Sequence, residues 1–257
     1  MIETYRRIAP FYDGDYESLD YDADTPFYVQ LARESGGPVL EMGCGTGRVL
    51  LAVARAGIRI HGMDLSPDML RELGAKLAAE PPEVRALVTF SEGDIRTAEA
   101  PGKFALITSP FRVVQSFVSR DSQRAWLRNV RRHLRPGGAL CFDVFQPNFE
   151  YLVRPCEPCV DVDRKDPASG LRIRRFVRTV PHNALQTIDC EFRWVIGEDA
   201  DGEGSSCSFT LRWFTRGELE NLLELEGFEI ADYWGTFNRD PFCETSPEQI
   251  IRAVARG

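Results

Sequence analysis

Val39-Leu40-Glu41-Met42-Gly43-Cys44-Gly45-Thr46-Gly47-Arg48-Val49 decides the fold. The first four residues form a short, mostly apolar run of strand length, bounded upstream by the Gly36-Gly37-Pro38 break. Three glycines follow at alternate positions. Then Val49, Leu50 and Val53 recur at helical spacing until Gly57. Glycines between a strand and a helix let the backbone turn sharply and approach a ligand, with helix N–H groups facing it. The spacing narrows the ligand. A dinucleotide fingerprint, G-x-G-x-x-G, requires glycine where Arg48 stands, and no Gly-Lys-Ser/Thr follows to cradle a triphosphate. What remains is E-x-G-x-G-x-G.

Outward from this stretch, strands and helices alternate. Ile58 to Met63 reads as a second strand ending at Asp64, and Ser66-Pro67 caps and opens a helix that runs through Leu77. Leu87 to Phe90 and Phe104 to Thr108 are the third and fourth strands. A helix from Ser122 to Leu134 stops at Pro136-Gly137-Gly138 before a fifth strand, Ala139 to Phe145. Nearly continuous apolar strands joined through helices predict right-handed crossovers and a parallel sheet covered on both faces.

After Phe145 the period changes to two. Arg172 to Val180, Leu185 to Ile196 and Cys207 to Phe214 alternate, with turns at Pro181-His182-Asn183 and Asp201-Gly202-Glu203-Gly204. A helix from Thr215 to Glu226 and two strands, Phe228 to Trp234 and Gln249 to Val254, return to the first pattern. The fold class is therefore α/β: a doubly wound, mostly parallel seven-stranded sheet with an antiparallel β insertion. A single domain over 1–257 is expected, with an N-terminal helical segment (1–35), a core (36–145), the insertion (146–214) and a C-terminal part of the core (215–257).

Composition bounds the function. The 257 residues carry Asp+Glu 39 against Lys+Arg 31, a net charge of −8, and 11% aromatics. This is a globular, not a disordered, composition. The acidity disfavours a broad phosphate-backbone footprint. No apolar run is long enough to span a membrane and no signal peptide is evident, so a cytoplasmic protein without a membrane partner is expected. Seven scattered cysteines fit reduced thiols. Cys156-Glu157-Pro158-Cys159 is a lone pair without further ligands, read as a loop with no metal site.

Acidic residues close successive strands. Asp64 is spaced to accept from ribose hydroxyls, and Glu92-Gly93-Asp94-Ile95 offers a carboxylate to an exocyclic amine. Together with the glycine loop they point to a nucleoside with a neutral or cationic tail. On these residues, with Leu65-Ser66-Pro67-Asp68-Met69-Leu70 and Leu134-Arg135-Pro136-Gly137-Gly138-Ala139-Leu140, the chain strongly resembles the class I S-adenosylmethionine-dependent methyltransferases. The resemblance covers about 40 to 145. It implies that S-adenosylmethionine is the cofactor and S-adenosylhomocysteine the product. Gly43, Gly45 and Gly47, with Glu41, would wrap the methionine portion and Asp64 would hold the ribose. Leu65 and Met69 would lie against the adenine, with Gly93, Asp94 and Ile95 at its polar edge.

The pattern Tyr5-x-x-Ile8-Ala9-x-x-Tyr12-Asp13, with the insertion, looks like the small-molecule N- and O-methyltransferase branch, in which such a helix lids the cofactor. Tyr12 is then a cofactor contact and Tyr16 a substrate contact, while the acids around them form a solvated segment. After the fourth strand, Ser109, Phe111, Arg112 and Gln115 fall where donor methyl meets acceptor. Ser109 and Gln115 are candidates toward the cofactor; Phe111, Arg112 and Phe145 are candidates toward the substrate. Arg112 is equally readable as half of a structural ion pair, and Asp143 as a buried structural carboxylate.

No catalytic base is evident. His61 falls in a strand, His133 near the end of an exposed helix and His182 in a turn. Methyl transfer from a sulfonium relies largely on alignment and needs a base only for a protonated acceptor. The expected function is methyl transfer to the N or O of a small molecule. An RNA methyltransferase and a non-catalytic S-adenosylmethionine-binding protein are the alternatives. Arg172, Arg174, Arg175 and Arg178 suggest a polyanion patch, or more simply charge pairs on a solvated sheet face. The insertion also offers a surface for a homodimer.

Overall fold

A computed structural model describes residues 2–19, 22–150, 152–198 and 204–256. Asp20 and Tyr21 of the acidic N-terminal run, and Asp201, Gly202 and Glu203 of the last expected turn, lie outside the described residues.

Three helices, α1 (Ile2–Ile8), α2 (Tyr12–Ser18) and α3 (Asp24–Ser35), precede β1 (Val39–Met42). There follow α4 (Arg48–Arg55), β2 (Ile60–Asp64), α5 (Pro67–Ala78), the short α6 (Pro82–Arg85), β3 (Val88–Glu92) and β4 (Phe104–Ser109). A 3₁₀ turn at Val113–Ser116 leads to α7 (Arg120–His133) and β5 (Leu134–Phe145). Four strands, β6 (Cys156–Lys165), β7 (Arg172–His182), β8 (Thr187–Ile196) and β9 (Ser206–Arg212), precede α8 (Arg216–Leu225), β10 (Phe228–Trp234) and β11 (Glu248–Ala255). Local chemistry sets several of these starts. Ser66 Oγ accepts from Met69 N–H with Pro67 at the first helical position, Ser119 caps α7, and Thr215 and Glu218 form a capping box on α8.

The main sheet has seven strands in the order β10-β11-β5-β4-β1-β2-β3, parallel except for β11, which runs antiparallel to both neighbours. From β1 the chain builds outward through β2 to β3, then returns to the other side of β1 for β4. The crevice between the C-terminal ends of β1 and β4 is thus a topological switch point, where open α/β sheets bind ligands. One sheet face packs Leu40, Ile107, Phe142 and Ile251 against Trp126 and Leu127 of α7 and Leu219 of α8. The other packs Val39, Leu106 and Ile250 against Tyr28 of α3 and Leu50 of α4. Each such buried side chain contributes about 1.5–3 kcal/mol.

Strands β6-β7-β8-β9 form a separate antiparallel sheet. A third apolar cluster joins it to the N-terminus: Ile8, Ala9 and Phe11 pack with Met69, Ile173 and Trp194. This sheet has one strand more than the sequence pattern suggests. Cys156 to Cys159 lies in its edge strand β6, not in a loop. Register shifts between Cys156 and Cys159 and between Val160 and Val162 break the period of two, and most of the strand is exposed, so no alternation survives to be read.

Candidate active site

The glycine loop leaves β1 under tight backbone control. Gly43 and Cys44 N–H both donate to Met63 O at the end of β2. Gly43, Gly45 and Gly47 have φ of 83°, 52° and 82°, the left-handed region that glycine alone enters without strain. A Cβ at Gly47 would stand 2.3 Å from Leu73 Cδ1, and one at Gly43 2.7 Å from a Val113 methyl. At Gly45 it would meet nothing within 4 Å. Two glycines therefore allow packing behind the loop, and the middle one faces open space. Asp64 fixes the loop from β2: its Oδ2 accepts Gly45 N–H at 2.8 Å and its Oδ1 accepts Ser66 N–H at 2.9 Å.

Beneath the loop, Glu41 is buried and its Oε2 has no hydrogen-bond partner. Burial pushes its carboxyl up to about 8, opposed by the nearby Arg48 and assisted by Asp24 and Asp64. A buried carboxylate oxygen with no donor invites a cation. Arg48, the residue that excludes the dinucleotide fingerprint, forms a bidentate pair with buried Asp24 at 2.5 and 2.7 Å, and its guanidinium lies 5.1 Å over the Phe111 ring. It clamps α3 onto the loop.

Helix α2 closes this region from above. Thr46 Oγ1 donates to Asp13 Oδ1 at 2.6 Å, and Lys76 of α5 reaches Asp13 Oδ2 at 2.7 Å. Tyr12 and Tyr16 meet edge to face at 4.8 Å, and Tyr16 meets Phe111 at 4.6 Å. Asp15, on the same helix, is fully buried against the antiparallel sheet. It takes hydrogen bonds from Trp194 Nε1 at 2.7 Å, Arg164 Nε at 3.0 Å and Arg175 Nη1 at 3.4 Å. The expectation of a solvated acidic segment is corrected here: Asp13, Asp15 and Asp24 each join α2 or α3 to a different part of the molecule.

After β4 the chain makes an unusual turn. Phe111 and Arg112 have φ of 61° and 64°, consecutive non-glycine residues in the left-handed region. Buried Asp143 accepts Phe111 N–H at 2.9 Å, Arg112 N–H at 3.1 Å and Tyr28 O–H at 2.6 Å. Arg112 pairs with Glu248 at 2.5 Å and lies 5.5 Å over the Phe145 ring.

Left-handed glycines around open space, a partnerless buried carboxylate and a strand-end acid fit a nucleoside carrying an ammonium group. Residues 39–138 match the family described as a methyltransferase domain. Over 227 residues the chain is 26% identical to the cypemycin N-terminal methyltransferase of a Streptomyces species, covering 84% of this chain and 82% of that protein. It is 30% identical over 151 residues to a dTDP-4-amino-2,3,4,6-tetradeoxy-D-glucose N,N-dimethyltransferase of Saccharopolyspora spinosa, spanning 54% of this chain and 57% of the relative. Among solved structures, the CcbJ methyltransferase from Streptomyces caelestis superposes with a TM-score of 0.83 at 22% identity, covering 99% of this chain and 98% of that one. The chain is an S-adenosylmethionine-dependent methyltransferase, with a methyltransferase domain at residues 39–138.

The methyltransferase places its other sequence candidates unevenly. Leu65 is half-buried beside Asp64, and Met69 is buried in the cluster with Ile8, Phe11 and Trp194. Gly93 N–H donates to Asp64 O, and Ile95 belongs to the core. The Asp94 carboxylate is held by Arg96 at 2.5 Å, which keeps it below the usual carboxylate range. Ser109 and Gln115 are buried with their polar atoms engaged in the fold. Ser109 Oγ donates to Met42 O, while Gln115 donates to Arg212 O and accepts Phe145 N–H. The three histidines have structural partners. His61 lies between Thr89 and Ser91, and exposed His182 pairs with Asp189. His133, expected to be exposed, is buried between Asn129 O and Ala100 N–H. Tyr28 and Glu248 are absent from the sequence candidates, and Asp15 and Arg175 figure there only as surface charges, because no local pattern marks a contact made across the fold.

Among the described residues no cluster of three or more His, Cys, Asp or Glu side chains is disposed to hold a metal ion. No helix among them is long and apolar enough to cross a membrane.

Proposed function

We propose that this methyltransferase transfers a methyl group to the nitrogen of a small amine-bearing molecule. The observation that carries the reading is the aromatic wall of Tyr12, Tyr16 and Phe111, standing at the switch-point crevice beside the glycine loop. Aromatic faces suit a methyl sulfonium and an amine acceptor alike, through cation–π attraction and exclusion of water. Two aminosugar relatives are named N,N-dimethyltransferases and the cypemycin relative an N-terminal methyltransferase, which favours nitrogen, while two further relatives are named O-methyltransferases.

In this reading Glu41 receives the cofactor's ammonium, Asp64 its ribose hydroxyls, and Leu65 and Met69 flank the base. S-adenosylmethionine supplies a methyl on a sulfonium whose thioether leaving group needs no protonation. The protein's own part is alignment: the glycine loop and Asp13 hold one side, and the Phe111–Arg112 turn presents the acceptor from the other. A neutral amine brings its own lone pair and the product ammonium releases its proton to solvent, so no histidine is required. Helices α1 and α2 act as the lid, and the antiparallel sheet backs the acceptor side.

The RNA reading loses its support at the arginine-rich strand. Arg172 pairs with Asp163, Arg175 with Asp161 and Asp15, and Arg178 with Glu191, while Arg174 donates to the carbonyls of Gly197 and Glu198. All seven cysteines are free, which suits a reducing compartment such as the cytoplasm. A homodimer through the outer face of the insertion is the matching assembly, and sedimentation at micromolar concentration reads it directly.

The deciding experiment offers methyl-labelled S-adenosylmethionine with three acceptor sets: aminosugar nucleotides and peptides with free N-termini, their hydroxyl counterparts, and total RNA. Labelled N-methyl products from the first set are expected. Label found only in hydroxyl compounds or RNA would overturn the reading.

A further inference from the structure

The Phe111–Arg112 turn is strained. A non-glycine residue held in a sparsely populated backbone region costs on the order of 1–3 kcal/mol, and here two stand in succession. Such a turn persists only where its surroundings fix it. Residues with successive N–H groups directed to one side form a nest for an anion. In this protein the anion is internal. Asp143 comes from the adjacent strand β5, and its two oxygens divide the pair, Oδ1 taking Phe111 N–H and Oδ2 taking Arg112 N–H. Tyr28, fully buried on α3, donates to Oδ1 and fixes the carboxylate's own rotation.

We infer that Asp143 is a positioning residue for methyl transfer, which sets the acceptor site by holding the strained turn that presents the Phe111 ring. Phe111 closes one end of the aromatic group, 4.6 Å from the central Tyr16 and 6.1 Å from Tyr12, with Arg48 on its face. Release of the turn swings this ring out of the group without disturbing Gly43, Gly45 or Asp64, which are held separately by β2. Asp143 thus acts on the acceptor through Phe111 and touches neither reactant. The inference rests on the acceptor reading of the turn.

The isosteric variant Asp143→Asn separates the roles. Its carboxamide keeps one acceptor oxygen and directs an N–H₂ at the other backbone N–H, so one nest contact becomes donor against donor. Two measurements are made on S-adenosylhomocysteine-bound protein and on turnover of dTDP-4-amino-2,3,4,6-tetradeoxy-D-glucose. In hydrogen exchange, the amides of residues 111 and 112 should lose at least tenfold protection, while those of 39–42 keep theirs. In turnover, acceptor KM should rise about tenfold, with the affinity for S-adenosylhomocysteine within twofold of the parent. Tyr28→Phe, which leaves both nest contacts, should give a smaller KM change in the same direction. Unchanged protection at 111 and 112 in Asp143→Asn would overturn the inference. So would a uniform loss of protection with an unaltered KM, the mark of a merely structural residue. Absence of turnover in the parent protein counts against the acceptor reading alone, since the exchange measurement still judges the turn.

Discussion

At the scale of single residues, Glu41 links burial to ligand charge. Its carboxyl is pushed up to about 8 by desolvation, so the free protein carries it mostly protonated at neutral pH. An ammonium placed at its partnerless Oε2 favours the ionised form, and binding must then expel a proton. Calorimetry of S-adenosylmethionine binding at pH 7, in buffers of different ionisation enthalpy, should show proton release that vanishes above about pH 9. Buffer-independent heats would remove Glu41 from the ligand. Glu41→Gln cannot carry the charge and should weaken binding by about ten- to a hundredfold, the usual worth of a charged hydrogen bond. The glycines separate just as cleanly. Gly47→Ala drives a methyl into Leu73 and should lower the melting temperature sharply, whereas Gly45→Ala has room and bears only the backbone penalty of roughly 1–2 kcal/mol. The Gly45 variant should therefore lose more cofactor affinity than stability, and the Gly47 variant the reverse.

At the scale of elements, helix α2 is only seven residues long and makes its attachments through acids that face different partners. Asp13 holds the glycine loop and α5 from a half-exposed position, where an ion pair is worth little. Asp15 is buried between two arginines and an indole, and removing one member of such a group costs about 3–5 kcal/mol. Asp15→Ala should therefore undock α2 locally. Exchange over residues 11–18 should rise at least tenfold while β1 and β4 keep their protection, and S-adenosylhomocysteine should dissociate faster. A variant with parental exchange in α2 would show that the apolar contact of Phe11 with Trp194 suffices.

The same elements show why the sequence is legible in some places and mute in others. β1, the glycine loop and the Ser66-Pro67 start of α5 are local, each decided by residues within one turn of each other. The Asp15–Arg175 contact spans 160 positions and the Tyr28–Asp143 bond spans 115. Nothing in either neighbourhood marks its partner, because the topology alone brings them together. Arg48 was visible as an exclusion, but its pairing with Asp24 was not. β6 was lost to its bulges.

At the scale of the whole molecule, the surplus of acid is distributed into two classes with opposite pH behaviour. Asp94, Glu218 and Glu226 are held below the usual range, Asp94 by its hydrogen bonds to Arg96 and the two glutamates by hydrogen bonds and arginines that outweigh their burial. They contribute stability above the carboxylate pKa of the unfolded chain, which is lost as pH falls through their lowered folded values. Their window is acidic. Glu41 and Asp143 lie on the other side, pushed up by burial to about 8 and about 7. The folded protein retains those protons after the unfolded chain has released its own near pH 4, so between pH 4 and 8 the native state binds more protons and stability must fall as pH rises. The groups facing Asp143 divide: Glu248 and Asp24 add to the upward shift, while Tyr28 and Arg112 restrain it. Urea midpoints measured from pH 5 to 9 should decline steadily in the parent protein. They should decline less in Glu41→Gln or Asp143→Asn, each of which removes one of the titrations that burial, as at Asp64, has pushed up. A cationic ligand should flatten the same decline by favouring the ionised Glu41, so that saturating S-adenosylmethionine stabilises more at pH 8 than at pH 6. Equal stabilisation at both values would mean that the ligand's charge is balanced elsewhere than at Glu41.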